Sequence, residues 1–247
     1  MNNQNMIELK NISAGFENGK EYLQVFNDFS LTFPRGDMNI ILGPTGCGKS
    51  TLLNLIAGIV SIQSGTLDFS EPGLQKKTRF VFQHYTLFPW LNIIQNIEFG
   101  LKVKKIEKFK RHEMAESMLN AVGLASFEKH FPHELSGGMR QRAAIAQALV
   151  TEPVLLLMDE PFGALDDFTR MELQEFLKTI HNKNNITTIF VTHSIDEAIK
   201  LGDRIILLSK RPAEIIQDIR PVEKQTAKEK EALYAKLRQQ LHHQFMQ

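Results

Sequence analysis

The sequence predicts an α/β fold built on a parallel sheet, and three observations carry that prediction. Short apolar runs of strand length alternate with helix-period segments over much of the chain. One of those runs, Met38–Leu42, leads straight into a glycine-rich loop and then a helix. Between about Phe88 and Val150 the alternation stops and only helical spacing remains, which marks a helical insertion.

The elements follow in chain order. Ile7, Leu9 and Ile12 alternate with polar residues, and past a polar turn at Glu17-Asn18-Gly19-Lys20 come Val25, Phe29, Leu31 and Phe33. Period-two spacing on both sides of a turn predicts antiparallel strands. Met38–Leu42 is a short buried strand, Ser50–Ile59 a helix closing near Gly58, and Gly65–Phe69 and Thr78–Phe82 two further strands. In the insertion, Met114, Met118, Leu119 and Val122 share one helical face, and Ala143, Ile145, Ala146 and Leu149 another. Strands return at Val154–Met158, Thr188–Thr192 and Arg204–Leu208, separated by helices over Asp167–His181 and Ile195–Leu201. Glu223–Gln247 is polar with sparse apolar positions and is expected to form a surface helix.

Composition narrows the function classes. The 247 residues carry a formal net charge of +1, which gives no bulk electrostatic reason to bind nucleic acid. With 43% hydrophobic and 23% charged residues the chain has the balance of a soluble globular protein. Cys47 is the single cysteine, so an internal disulfide is excluded and a reducing compartment fits. No apolar run approaches the ~20 residues that span a bilayer. The polar N-terminus gives no sign of a secretory leader. Work at a membrane would therefore require a partner.

The loop Gly43, Pro44, Thr45, Gly46, Cys47, Gly48, Lys49, Ser50 and Thr51 matches G-x-x-x-x-G-K-[ST]. Glycines let backbone N–H groups turn onto phosphate oxygens, and the following helix adds its N-terminal dipole. Lys49 is expected to reach the β- and γ-phosphates and Ser50 to ligate Mg²⁺. Asp159 and Glu160 end the apolar run Val154–Met158. Two carboxylates at the end of a buried strand are costly without a cationic partner, and a Mg²⁺–nucleotide supplies one. Asp159 would hold the metal and Glu160 the attacking water. Ser136-Gly137-Gly138 opens a helix, where Ser136 can cap and free N–H groups can meet an anion. Asp166 likewise precedes a helix as a cap.

The stretch LSGGMRQRAAIAQAL, Leu135–Leu149, resembles the signature motif of ABC ATPases. The other motifs follow in that family's order: Gln83 resembles the Q-loop residue and a Mg²⁺ ligand, Leu155–Asp166 the Walker B and D-loop segments, and His193 the switch histidine. Phe16 stands where the family places an aromatic against adenine, with Tyr22 as the alternative. The resemblance spans about Ile7–Ile219 and implies a P-loop NTPase (RecA-like) core with an antiparallel β subdomain and a helical subdomain bearing the signature. One domain over 1–247 is expected: a core from 1–87 and 150–220, a helical subdomain over 88–149 and a tail over 221–247. The resemblance implies that Ser136–Gly138 of one chain faces the γ-phosphate of ATP on another. Two chains then sandwich two nucleotides, with Glu160, His193 and Lys49 catalytic and Asp166 in the D-loop.

Within the family, DEPFGALD, LFPWLNIIQNIEFGL and LLSKRPAEIIQDI resemble the nitrate, sulfonate and taurine import group. That group's motors work at the cytoplasmic face of the membrane, bound to a permease and indirectly to a solute-binding protein. The segment Phe88–Gly100 would receive the permease, with Trp90 as an anchor or, alternatively, as core. Two positions depart from the family: Ser194 stands in place of Asp and Gln147 in place of Arg, which puts the local ion pairs there in doubt. Cys47 is expected to be a buried packing thiol and a possible target for alkylation. No residue encodes the cargo, and nitrate, alkylsulfonate, taurine or a pyrimidine vitamin precursor all fit the group. A soluble ABC ATPase acting on DNA or the ribosome is disfavoured, because sustained heptads and a second cassette are missing. A non-catalytic regulator is disfavoured by Glu160 and His193.

Overall fold

The computed structural model describes residues 5–18, 21–84, 86–221 and 227–246. Two sheets and a block of helices make up the architecture. β1 (Asn5–Asn18) and β2 (Glu21–Pro34) pair antiparallel, and β4 (Ser64–Phe69) adds to the other edge of β1, giving the order β2-β1-β4. Gly19 and Lys20 of the expected turn lie outside the described residues.

The second sheet has six strands in the order β5-β6-β7-β3-β8-β9. These are β5 (Thr78–Val81), β6 (Leu155–Asp159), β7 (Thr187–Thr192), β3 (Met38–Leu42), β8 (Arg204–Leu208) and β9 (Ile215–Ile219). The first five run parallel and β9 closes the edge antiparallel to β8. Every residue of β3, β6, β7 and β8 is buried. Strands covered on both faces read as continuous apolar runs, which is why the sequence revealed them so clearly.

Period-two geometry divides these strands between two cores. Met38, Ile40, Leu42, Leu156, Met158, Phe190, Ile205 and Leu207 face one core. It is shared with α2 (Ile93–Val103), α3 (Lys108–Ala121), α4 (Gly137–Leu149), α5 (Asp167–Asn184) and α6 (Ile195–Leu201). Ile41, Leu155, Leu157, Ile189, Val191, Ile206 and Leu208 face the other, with α1 (Lys49–Ile56) and the inner side of the three-stranded sheet. α7 (Ala227–Met246) buries Leu237 in the first core.

Strand ends differ from the sequence expectation by one residue at β4, β5, β6 and β7, and the ends of α1 and α5 differ more. α1 ends at Ile56 rather than Ile59: Gly58 takes φ 73°, the Ile59 N–H turns back to Asn54 O, and Ile59 is exposed. α5 runs on to Asn184 because Asn185, at φ 50°, supplies its left-handed C-cap. α2 was not resolved as a separate helix in the insertion, although its signal is present. Asn92 accepts from the Gln95 N–H and Gln95 Oε1 accepts from the Asn92 N–H, a complete capping box.

Candidate active site

β3 and β6 deliver the two halves of the site side by side, because β7 lies hydrogen-bonded between them and all three point the same way. Ligands in open α/β sheets bind beyond the carboxyl ends of such strands. The loop after β3 demands glycine at Gly48, where φ is 116° and an added Cβ would lie 2.4 Å from Val25 Cγ1. Gly48 is also the N-cap of α1. It has no side chain to spend on the first-turn N–H groups, and that turn holds no acidic residue. Those donors and the helix dipole are left for an anion.

Lys49 is 6% exposed, and its Nζ donates to Gly43 O at 2.8 Å and Pro44 O at 2.9 Å. Among the described residues no carboxylate pairs with it. A buried ammonium satisfied only by neutral carbonyls is poised for a negative ligand. Ser50 follows, and its hydroxyl is near enough to favour the charged form of the Asp159 carboxyl.

Asp159 is 7% exposed, and its Oδ1 is buried with no partner among the described residues. Burial pushes its carboxyl up from the usual aspartate range, opposed by the Ser50 hydroxyl. An orphaned carboxylate oxygen beside a hydroxyl is an oxygen donor set of the kind Mg²⁺ takes. The sign of the linkage gives a prediction. A carboxyl whose folded pKa is raised costs stability once it ionises, so the cost appears as pH rises past the usual aspartate value and is complete above the folded one. Asp159→Asn is therefore expected to raise the thermal midpoint of the ligand-free chain at pH 8 and to do less at pH 4. Calorimetry at both pH values reads the difference, and an equal or larger gain at pH 4 would contradict the raised carboxyl.

Glu160 adopts φ 44°, a left-handed backbone that costs a non-glycine residue about 1–2 kcal/mol. Its N–H donates to Val191 O at 3.0 Å and its carbonyl accepts from the Gly163 N–H at 3.3 Å, so the turn is held at both ends. Its Oε1 lies 3.2 Å from His193 Nδ1. His193 is itself on a braced loop. Thr192 Oγ1 donates to Glu197 Oε2 at 2.6 Å and accepts from the Ser194 N–H at 3.0 Å. Ser194 Oγ accepts from the Glu197 N–H at 3.3 Å and caps α6. The serine thus does the capping that an Asp would do there, and no ion pair is needed. Glu197 is buried, which raises its carboxyl, and the Thr192 hydrogen bond opposes that rise.

A cavity of about 500 Å³ lies over this arrangement. Thr45, Gly46, Gly48, Lys49, Ser50 and Thr51 form its floor, and Phe16, Gln83, Glu160 and His193 stand around it. Gly43, Pro44 and Cys47 belong to the loop but do not line the cavity, and Cys47 is buried. Of the two candidate aromatics, Phe16 lines the cavity and Tyr22 does not. The Tyr22 hydroxyl lies over Gly15, where it would sit 2.4 Å from an added Cβ. Val25 and Arg211 also line the cavity, and neither was assigned a role at the site from sequence.

Ser136, Gly137, Gly138 and Asp166 are not part of this cavity. Ser136 Oγ accepts from the Met139 N–H and caps α4, and a Cβ at Gly137 would meet nothing within 4 Å. The first turn of α4 thus lines no part of the cavity over its own chain's phosphate loop, and it is open at Gly137. Asp166 caps α5 through the Thr169 N–H at 3.0 Å, which holds its carboxyl below the usual range.

Trp90 is 71% exposed and is not core. Its ring lies 5.4 Å from that of Phe88, which lies 4.5 Å from Phe99. Buried Asn96 fixes this turn: its Oδ1 accepts from the Phe88 N–H at 2.7 Å, and its Nδ2 donates to Phe88 O, Leu91 O and Asn92 O. Gln147 Nε2 donates to Asn96 O at 3.0 Å, so this position braces the turn with a neutral hydrogen bond. No helix among the described residues is long and apolar enough to cross a membrane.

A family model described as ABC transporter matches residues 26–163. The taurine import ATP-binding protein TauB of Yersinia pestis bv. Antiqua (strain Antiqua) is 44% identical over 215 residues, 86% of this chain and 83% of that one. The protein of the same name from Escherichia coli (strain K12) is 42% identical over 217 residues, with the same 86% and 83% coverage. The dimeric post-hydrolysis structure of the ATP-binding cassette MJ0796 bound to ADP and Pi matches with a TM-score of 0.79 at 32% identity. The match covers 87% of this chain and 98% of that one. The expected kinship with the nitrate, sulfonate and taurine import group is borne out by these relatives. The chain belongs to the ABC transporter family, as an ATP-binding ATPase whose hydrolysis is coupled to transport.

Proposed function

We propose that the chain is the motor subunit of a bacterial importer for taurine or a related small sulfonate, held at the cytoplasmic face of the cell membrane by a permease. The observation that supports the motor reading best is one cavity lined by the phosphate loop and the Glu160–His193 pair, with the unpartnered Asp159 carboxylate buried next to Glu160 in the chain. Lys49 and the α1 N-terminus would take the β- and γ-phosphates and Phe16 the adenine face. Ser50, Asp159 and Gln83 would hold Mg²⁺, which when bound neutralises phosphate charge. Glu160 orients the attacking water and accepts its proton, while His193 holds the Glu160 carboxylate and contacts the γ-phosphate.

The chain acts as one ABC domain: a core over 1–87 and 150–220, a signature-bearing helical subdomain over 88–149 and a tail over 221–247. A second copy completes each site. The first turn of α4 supports this, since among the described residues the Gly137 and Gly138 N–H groups have no partner. Asp166 would lie at the same junction. The exposed Phe88–Trp90 cluster, braced by Asn96, is the proposed permease seat within Phe88–Gly100. The taurine import role of the relatives supports the cargo class, and a solute-binding protein would deliver it.

The test is affinity capture from detergent-solubilised native membranes in ATP and vanadate, followed by mass spectrometry. A multi-span permease encoded with a sulfonate-binding protein is expected. Ribosomal or DNA-repair proteins without any permease would overturn the transport reading. Trp90→Ala is expected to lower permease recovery at least about tenfold, the scale of an interface anchor. Its phosphate release in the absence of membranes should stay unchanged, and full permease recovery would refute the anchor.

A further inference from the structure

The cavity carries a cation that no motif predicted. Arg211 sits in the turn between β8 and β9, outside the phosphate loop, Walker B and signature motifs. That turn is braced. The Ser209 N–H donates to Glu214 O, and Ser209 Oγ accepts from the Glu214 N–H, both at 2.9 Å. Buried Ala213 donates its N–H to Val25 O at 2.8 Å, which ties the turn to the strand whose Val25 also lines the cavity. Arg211 Nη2 would lie 3.9 Å from a Cβ placed on Gly46, in the middle of the phosphate loop. Its charge also reaches the neighbouring Cys47 thiol. Among the described residues no carboxylate pairs with the guanidinium and no acceptor holds it.

We propose that Arg211 is a nucleotide-binding residue that contacts the phosphate chain of the bound ATP. The inference rests on the nucleotide reading of the cavity. A guanidinium cannot lose its charge in a protein, and its planar fork matches phosphate oxygens. It adds a second cation to a pocket whose first, Lys49, lies on the floor. Because Arg211 approaches over Gly46 from a different element, it clamps the phosphates between the loop and the β8–β9 turn.

The test is calorimetric titration of the full chain with MgATP and with adenosine, for wild type, Arg211→Ala, Arg211→Lys and Lys49→Ala. Arg211→Ala is expected to weaken MgATP about tenfold or more, the scale of one charge-assisted hydrogen bond, and to leave adenosine unchanged. Arg211→Lys is expected to recover part of the loss. The salt dependence of MgATP affinity should flatten in Arg211→Ala, since one screened charge pair is gone. Unchanged MgATP affinity in Arg211→Ala, or an equal loss for adenosine, would overturn the proposal. Lys49→Ala separates the two levels: if it keeps full affinity the nucleotide reading fails as a whole. If it loses affinity while Arg211→Ala does not, only the Arg211 contact fails.

Discussion

Glu160→Gln is expected to cut steady-state phosphate release by about 10²–10⁴-fold, the range ascribed to a positioned general base, with MgATP affinity within a factor of a few of wild type. Glutamine has the size of glutamate and can still hydrogen-bond His193, 3.2 Å away. What it removes is the carboxylate that takes the proton of the attacking water. The strained backbone at φ 44° is unchanged by the swap, so the loss reports chemistry rather than folding. Turnover within a few-fold of wild type would remove Glu160 from the catalytic role.

Lys49→Ala is expected to weaken MgATP by about 10- to 100-fold, from one or two lost charge-assisted contacts. The physical reason is the buried ammonium, which has two carbonyl partners and no carboxylate among the described residues. Removing it takes a donor from the carbonyls of Gly43 and Pro44, of which Pro44 O keeps the Cys47 N–H, so some loss of stability accompanies the loss of affinity. Calorimetric titration gives the affinity, and a thermal scan of the ligand-free variant shows how much of the change is folding. Unchanged binding would contradict the phosphate-loop reading directly.

Much of the site was legible from sequence because its chemistry ties residue types to fixed spacings. A loop that bends backbone N–H groups onto phosphate needs Gly48 at φ 116° immediately before Lys49 and Ser50, and that requirement is visible in one dimension. β3, β6, β7 and β8 were legible for a different reason: burial on both faces leaves short runs that are mostly apolar. The nearness of His193 to Glu160 followed from the adjacency of β7 and β6. Arg211 was not legible, because it reaches the cavity only through the tertiary placement of a turn pinned to Val25 O. The exposure of Trp90 was not legible either. An aromatic beside a turn serves core or surface equally well until Asn96 is seen holding Phe88 and the turn in place. Ser194 and Gln147 looked like lost ion pairs, and the structure gives each a neutral hydrogen bond instead.

The central claim is that one chain holds half of each catalytic site and that ATP joins two chains. The open N–H groups at Ser136–Gly138, outside the cavity of their own chain, are the structural basis for it. Sedimentation of Glu160→Gln with MgATP, and separately with MgADP, measures it most directly. The account predicts a dimer holding two ATP in the first case and a monomer in the second. A Glu160→Gln chain that stays monomeric with its site saturated by MgATP would contradict the two-chain site.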